Sequence, residues 1–414
     1  MTVAHIPVWD KQKRLIGFKH AAIDKEGTAS ADPALWKTIS MLSADLAPIR
    51  GKFALQCFEF GLPMWQEAQS MLSSHPDSFK ALCQHLRDQK IAASSPHELN
   101  MAQNPASIEL ALAFSSFGVD FLLGNFALDK HCASIAARSS GIFLNASKTD
   151  VPLCLNIGLK VLTAGKTAII EGVDHDPLLL KLAQNGAGPF CGQALMSAGE
   201  FHGKIEQSQT TMLVALSACF SDSDLNDIDN IVKRDPVVAY KLISLVNSAA
   251  LRKNRQGAST TREALMLIGR AHLGSWLASL LLDNSKNKNK QDPYLSSPRW
   301  VALHRAKLAE SLCLCTSSAQ EAPQAFVVGA FSALDALLGQ PLVEILSECK
   351  LPRIMELAIQ SRQGMLGELL DLAIGTEKEP CDLNLLSRLC KLGLTPADFS
   401  SAQSRSFQWA SAQI

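Results

Sequence analysis

The sequence predicts two fold classes in one chain, an α/β N-terminal half and an all-α C-terminal half. Three observations predict this. Over the first ~200 residues, short apolar runs alternate with helical patterns, as βα units do. From Thr210 onward, apolar residues recur at helical spacing and strand signals become sparse. The 414 residues, 47% hydrophobic and 19% charged, are a globular composition long enough for two cores.

The elements follow in chain order. "LIGFKHAAI" comes after the turn-like "DKQKR" and reads as a strand. "KFALQCFEF", "VDFLLGNF", "GIFLNAS" and "TAIIEGVD" are further candidate strands, each with β-branched or aromatic residues and each ending near Gly, Asn or Asp. "DSFKALCQHLRDQ" and "VPLCLNIGLKVLTAG" are helical patterns between them. Parallel strands separated by helices predict a βα barrel or a reduced form of one, and about 200 residues is the lower limit for that architecture.

After "GEFHGKIEQSQ" the pattern changes, which places the boundary between residues 1–203 and 208–414. Asp235-Pro236 is an N-cap followed by proline at the first helical position. Val238, Leu242, Leu245 and Val246 then form one apolar stripe. Thr260-x-x-Glu263 is a capping box opening the next helix, and Gly269 can close it. "AFVVGAFSALDALLG" and "MLGELLDLAIG" are buried helices with Gly at their ends. Leu280 to Leu282 can face a core or a neighbour.

Charge and cysteine usage exclude several classes. Lys+Arg and Asp+Glu both number 39, so nothing global draws the chain to nucleic acid or anionic lipid. The 11 cysteines include no Cys-x-x-Cys pair, and Cys313 and Cys315 would point about 200° apart on a helix. Free thiols in a reducing cytosol are expected. The N-terminus lacks the apolar core of a signal peptide, and no apolar run reaches spanning length. The expected location is therefore cytoplasmic, without nucleic-acid or membrane partners.

Local motifs give little chemistry. "DSDLNDIDN" from Asp222 starts like a calcium loop, but Asp227 stands where Gly is needed and Lys233 where Glu is needed, so an acidic helix start is expected. Lys286, Lys288 and Lys290 carry no interleaved aromatics and read as a hydrated loop. Trp276, Trp300 and Trp409 are expected in packing. Neither a phosphate-binding Gly-rich loop nor a nucleophile elbow occurs. Asn247 reads either as a helix C-terminal cap or as the mark of a recognition edge flanked by Arg252, Lys253 and Arg255.

Longer motifs carry a family resemblance. "IVKRDPVVAYKLISLVNSAA…STTREALMLIGRAHLGSWLASLLL", with "AFVVGAFSALDALLGQPL" and "LGELLDLAIGTEKEP", resembles the HDOD domain over Ile228 to Trp409. "HIPVWDKQKRLIGF", "IIEGVD" and "GAGPFCGQALM" are similar to segments of an EAL domain. The resemblance is thus to EAL-HDOD signalling proteins, sometimes called modified HD-GYP proteins: a degenerate EAL-like βα barrel followed by a helical, HD-like HDOD domain.

An active EAL domain is a cyclic-di-GMP phosphodiesterase and needs carboxylates at strand ends to hold divalent metals. The resemblance carries its ligands onto this chain residue by residue. The signature Glu falls on Lys19, whose ammonium cannot ligate a cation. The Asp-Asp-Phe motif falls on Gly124-Asn125-Phe126, and the Lys-x-Asp motif on Phe143-Leu144-Asn145. Glu171 keeps its place, Asp174 shortens a second Glu, and a Gln lands on Cys191. One surviving carboxylate beside a lysine implies no metal cofactor. Glu171 and Asp174 remain as the candidate remnant of a ligand site.

The helical half has no His-Asp dipeptide, its histidines being His272 and His304, and Leu334 precedes Asp335 where such a pair is expected. His175-Asp176 reads as a polar surface pair. The resemblance therefore implies a non-catalytic signalling or scaffold protein linked to cyclic-di-GMP, binding a protein partner through its HDOD domain. Asp235, Asn247, Arg252 and Arg255 are the candidate interaction residues. The alternatives are a cyclic-di-GMP receptor without hydrolysis, a residual phosphodiesterase and a cryptic HD-type phosphohydrolase.

Overall fold

The computed structural model describes residues 2–10, 14–23, 34–49, 54–60, 62–96, 104–124, 135–147, 149–174, 176–192, 194, 207–247, 258–283, 297–349, 351–377 and 385–413. The first half runs β1 (Thr2–Trp9), β2 (Leu15–Ile23), α1 (Ala34–Leu46), β3 (Leu55–Glu59), α2 (Leu62–Ser74), α3 (Pro76–Gln89) and β4 (Ala92–Ser94). It continues with α4 (Pro105–Ser116), β5 (Phe121–Leu123), β6 (Gly141–Asn145), α5 (Val151–Thr163), β7 (Thr167–Glu171) and α6 (Asp176–Gln184).

The strands form one sheet in sequence order. β1 and β2 are antiparallel, and every later pair is parallel. Phe190 then bridges both edges, pairing with Trp9 of β1 and Ile170 of β7. The bridge is made by the Phe190 amide to the Trp9 carbonyl at 2.8 Å and the Cys191 amide to the Ile170 carbonyl at 2.8 Å. The sheet is therefore rolled, with its edge strands tied rather than left open. Strand alternation gives it an inner face, where Ile6, Cys57, Leu122, Phe143 and Ile169 make a small apolar cluster.

The second half runs α7 (Gln207–Phe220), α8 (Leu225–Lys233), α9 (Pro236–Val246), α10 (Thr261–Ile268), α11 (Arg270–Asp283), α12 (Ser297–Cys313), α13 (Ala322–Phe331) and α14 (Leu334–Leu338). After these come α15 (Leu342–Cys349), α16 (Arg353–Ser361), α17 (Gly364–Gly375), α18 (Leu385–Lys391) and α19 (Pro396–Ala412). Among the described residues it contains no strand. This α/β half followed by a helical half is the architecture the sequence predicts.

The predicted caps form. Asp235 Oδ1 accepts from the amides of Val237 at 2.9 Å and Val238 at 3.2 Å. Thr260 and Glu263 close a reciprocal capping box, and Gly269 ends α10 at φ 74°. The acidic stretch at Asp222 is a helix start, with Asp224 and Asp227 making the capping box of α8. Trp300 is wholly buried and Trp276 and Trp409 pack against the core, while Leu280 to Leu282 face inward.

Three details differ from the sequence reading. β4 was not foreseen, because "AAS" contains neither β-branched nor aromatic residues. "AFVVGAFSALDALLG" is not one helix but two. Ser332 turns its hydroxyl onto the Gly329 carbonyl at 2.7 Å, and Ala333 leaves helical geometry at φ −128°. The two halves also share one continuous core, since α19 and α12 pack on β1. The boundary region, residues 201–206, lies outside the described residues.

Candidate functional site

On the inner face of the sheet, the Lys19 ammonium lies between two carboxylates. Its Nζ is 2.5 Å from Glu171 Oε1 and 2.6 Å from Glu59 Oε2. Strand register explains the meeting. Lys19 pairs with Cys57, so Glu59, two residues further along β3, shares the inner face. Glu171 stands two residues beyond inward-facing Ile169, at the C-terminal end of β7. The C-terminal ends of parallel strands are where βα barrels place their reactive groups.

All three side chains are nearly inaccessible, with Lys19 at 1% and both glutamates at 5% exposure. The Phe143 ring lies beside the ammonium, its centroid 4.7 Å from Lys19 Nζ, a cation–π distance. One ammonium against two carboxylates leaves a formal charge of −1 among these three groups. Burying ions is costly unless they are paired with good geometry, which this arrangement supplies.

The other expected residues are dispersed. Asp174, beyond the end of β7, is exposed, unlike Glu171. Asn145 pairs in register with Glu171, but its side-chain oxygen accepts from the amide and hydroxyl of Ser147 at 3.0 and 2.6 Å. The Gly124 amide donates to the Ser95 hydroxyl at 2.9 Å. Asn125, Phe126 and His175 lie outside the described residues. Cys191 is buried in the inner apolar cluster. Glu59 is a carboxylate beside Glu171 that the motif-by-motif resemblance does not name. The "CFEF" alternation carried that signal: Glu59 has the parity of Cys57, which faces inward.

A second buried ion pair lies in the helical half. Arg305 of α12 meets Glu377, just past α17, through two parallel contacts of 2.7 and 2.6 Å. Its remaining arm donates to the Ser332 hydroxyl at 3.2 Å. Asp335 stands near this group. Burial raises its carboxyl pKa, opposed by the amide of Ala336 and by the Arg305 charge. His272 is exposed, whereas His304 is wholly buried and stacked on Trp300.

The interaction residues resolve in part. Asp235 is a helix cap. Asn247 clasps Ala258, donating to its carbonyl and accepting from its amide, both at 2.8 Å. That is a structural role, and it joins the two ends of the segment 248–257. Arg252, Lys253, Arg255 and the lysines at 286, 288 and 290 lie outside the described residues.

Comparison with known proteins agrees with the capped helical half. The family model described as HDOD domain matches residues 208–364. Residues 208–364 are an HDOD domain. The chain is thus an α/β half followed by an HDOD domain, the EAL-HDOD order its motifs resemble. It is similar to the cyclic di-GMP phosphodiesterase CdgJ of Vibrio cholerae, 29% identical over 160 residues, which cover 39% of this chain and 36% of that protein. It is also similar to the uncharacterized protein YuxH of Bacillus subtilis, 26% identical over 149 residues, covering 36% of each. The matches therefore span about a third of each relative. Among solved structures, the EAL domain of Mycobacterium smegmatis DcpA aligns with a TM-score of 0.35 at 11% identity, covering 46% of this chain and 89% of that one. Among the described residues, no single helix is long and apolar enough to cross a membrane.

Proposed function

We propose that this chain is a non-catalytic signalling protein of cyclic-di-GMP pathways, whose HDOD domain engages a protein partner. The observation that carries the reading is the Lys19 ammonium seated between Glu59 and Glu171. A phosphodiesterase of the EAL kind would use such carboxylates to hold divalent metal and activate water. Here the protein supplies its own cation. A divalent ion ~4 Å from Lys19 Nζ would be opposed by about 8 kcal/mol at an effective dielectric of about 20. Lys19 offsets one of the two carboxylate charges, about half of the attraction the pair would offer such an ion, and its Nζ occupies the position between them.

The CdgJ name is that of a phosphodiesterase, but the match covers 36% of that protein, and the reading for this chain rests on its own Lys19. The test uses the full-length protein with cyclic-di-GMP and Mn²⁺, followed by chromatography for linear product and by calorimetry with and without Mg²⁺. Neither product nor metal-dependent binding is expected. Product formation blocked by EDTA overturns the reading, and micromolar nucleotide binding without product replaces it with a receptor.

A further inference from the structure

Both buried ion pairs border one seam. On β2, Lys19 points to the inner face, so its neighbours Phe18 and His20 point outward, toward the helical half. On α12, His304 is turned to that seam, whereas the next residue, Arg305, lies about 100° further round and reaches Glu377. The space between is filled by rings. Phe18 packs on Trp300 at 4.7 Å and on Phe407 of α19 at 5.0 Å between centroids. Trp300 stacks on His304 at 4.8 Å with ring planes 8° apart.

A polar arm runs alongside. Gln56 of β3 contacts His20 at 2.7 Å, and His20 contacts His5 at 2.9 Å, nitrogen to nitrogen. His5 stacks on Phe407 at 3.8 Å and stands 3.8 Å from Asp45 of α1. Asp45 in turn accepts from Ser404 and, at 3.1 Å, from Gln408, both on α19. The rings and both histidines are buried, while Gln56, Ser404 and Gln408 are half-buried at the margin, and packed interiors respond to displacement by discrete repacking rather than smooth deformation.

We infer that the Lys19–Glu59–Glu171 cluster and the Arg305–Glu377 pair are energetically coupled through the β2–α12–α19 seam, so that a charge change at the buried cluster of the α/β half is read in the HDOD domain. A displacement of Lys19 moves β2, and β2 carries Phe18 and His20 as the next residues on its other face. Those two meet Trp300 and Phe407 directly. Trp300 and His304 are one turn apart on the helix that carries Arg305. This coupling is independent of whether the α/β half is catalytic, and amide exchange reads it without any activity.

The test is amide hydrogen exchange on the full-length protein. Lys19→Met is expected to change exchange across α12 at least about fivefold, the low end of typical coupling between sites. Amides of α3, remote from the seam, should stay within twofold of the wild type. Because coupling is reciprocal, Arg305→Lys should change exchange in β2 and β3 in return. Phe407→Ala, which removes the ring joining both arms, should abolish the effect of Lys19→Met on α12. If Lys19→Met does not fold, Glu171→Gln perturbs the same cluster with little change of shape and is read the same way. Unchanged α12 exchange alongside changed β3 and β7 overturns the inference. So does a change of equal size in α12 and α3, which would mean general loosening.

Discussion

Acidification should loosen this protein through the three imidazoles buried at the seam. Burial and the neighbouring His20 and His304 hold His5 well below the usual histidine range. Burial lowers His20 to about 4 and, with the Arg305 charge adding to it, His304 to about 3. Neither ring nitrogen of His304 meets a hydrogen-bond partner among the described residues, so nothing there repays a proton. The sign follows from linkage. Unfolded histidines titrate near 6.5, and the folded ones stay neutral down to the lowered values. As pH falls from 6.5 toward 4, the unfolded chain takes up protons that the folded chain refuses, and stability is lost. Between pH 7 and pH 5, His20 and His304 each remove about 2 kcal/mol. His20 and His304 together remove about 4 kcal/mol, close to the whole stability of the less stable domains, and His5 works in the same direction. Burial raises the Asp45 carboxyl, which works in the opposite direction. The contribution of one histidine is therefore best read as a difference between variants. Urea unfolding midpoints would be measured at pH 7 and pH 5 for the wild type and for His304→Phe, which keeps the stack on Trp300. The variant should lose about 2 kcal/mol less than the wild type over that interval. Equal losses would refute the argument that His304 is held neutral.

Further outcomes follow from the same contacts. Lys19→Met should cost about 3–5 kcal/mol in chemical denaturation, because two carboxylates lose their buried partner. Mn²⁺ should raise the melting temperature of that variant and leave the wild type unmoved; an unmoved variant would show that Glu59 and Glu171 cannot take a metal in place of the ammonium. Asn247→Ala should cost about 1–3 kcal/mol in urea unfolding by orphaning the amide and carbonyl of Ala258. Gly329→Ala should lower the melting temperature by several degrees, since a Cβ there would stand 2.6 Å from the Ala306 Cα and the Arg305 carbonyl oxygen. A melting temperature equal to wild type would mean that α12 and α13 separate at little cost.

What the sequence disclosed, and what it withheld, divides by range. Caps at Asp235 and Thr260 are written within four residues, and both stand as read. β2 and β7 read as strands from their own residues, whereas only the resemblance to an EAL domain brings Lys19 and Glu171 to one site. Glu59 was missed because no motif marked it, although the parity of "CFEF" would have placed it beside Cys57. β4 was missed because its three small residues carry no strand preference of their own; their neighbours in the sheet impose it. The seam was invisible for a different reason. His5, Asp45, Trp300 and Phe407 are far apart in the chain, and no local periodicity encodes which ring will meet which. The break at Ser332 likewise depends on a hydroxyl finding the Gly329 carbonyl and on Arg305 arriving from another helix.

The Asn247 clasp concentrates a tertiary tie in one side chain. Its amide makes both hydrogen bonds that a neighbouring strand would make, so the end of α9 is held to the approach of α10 without any sheet. A single substitution there is enough to release that tie, whereas a strand pairing would have to be undone at several residues.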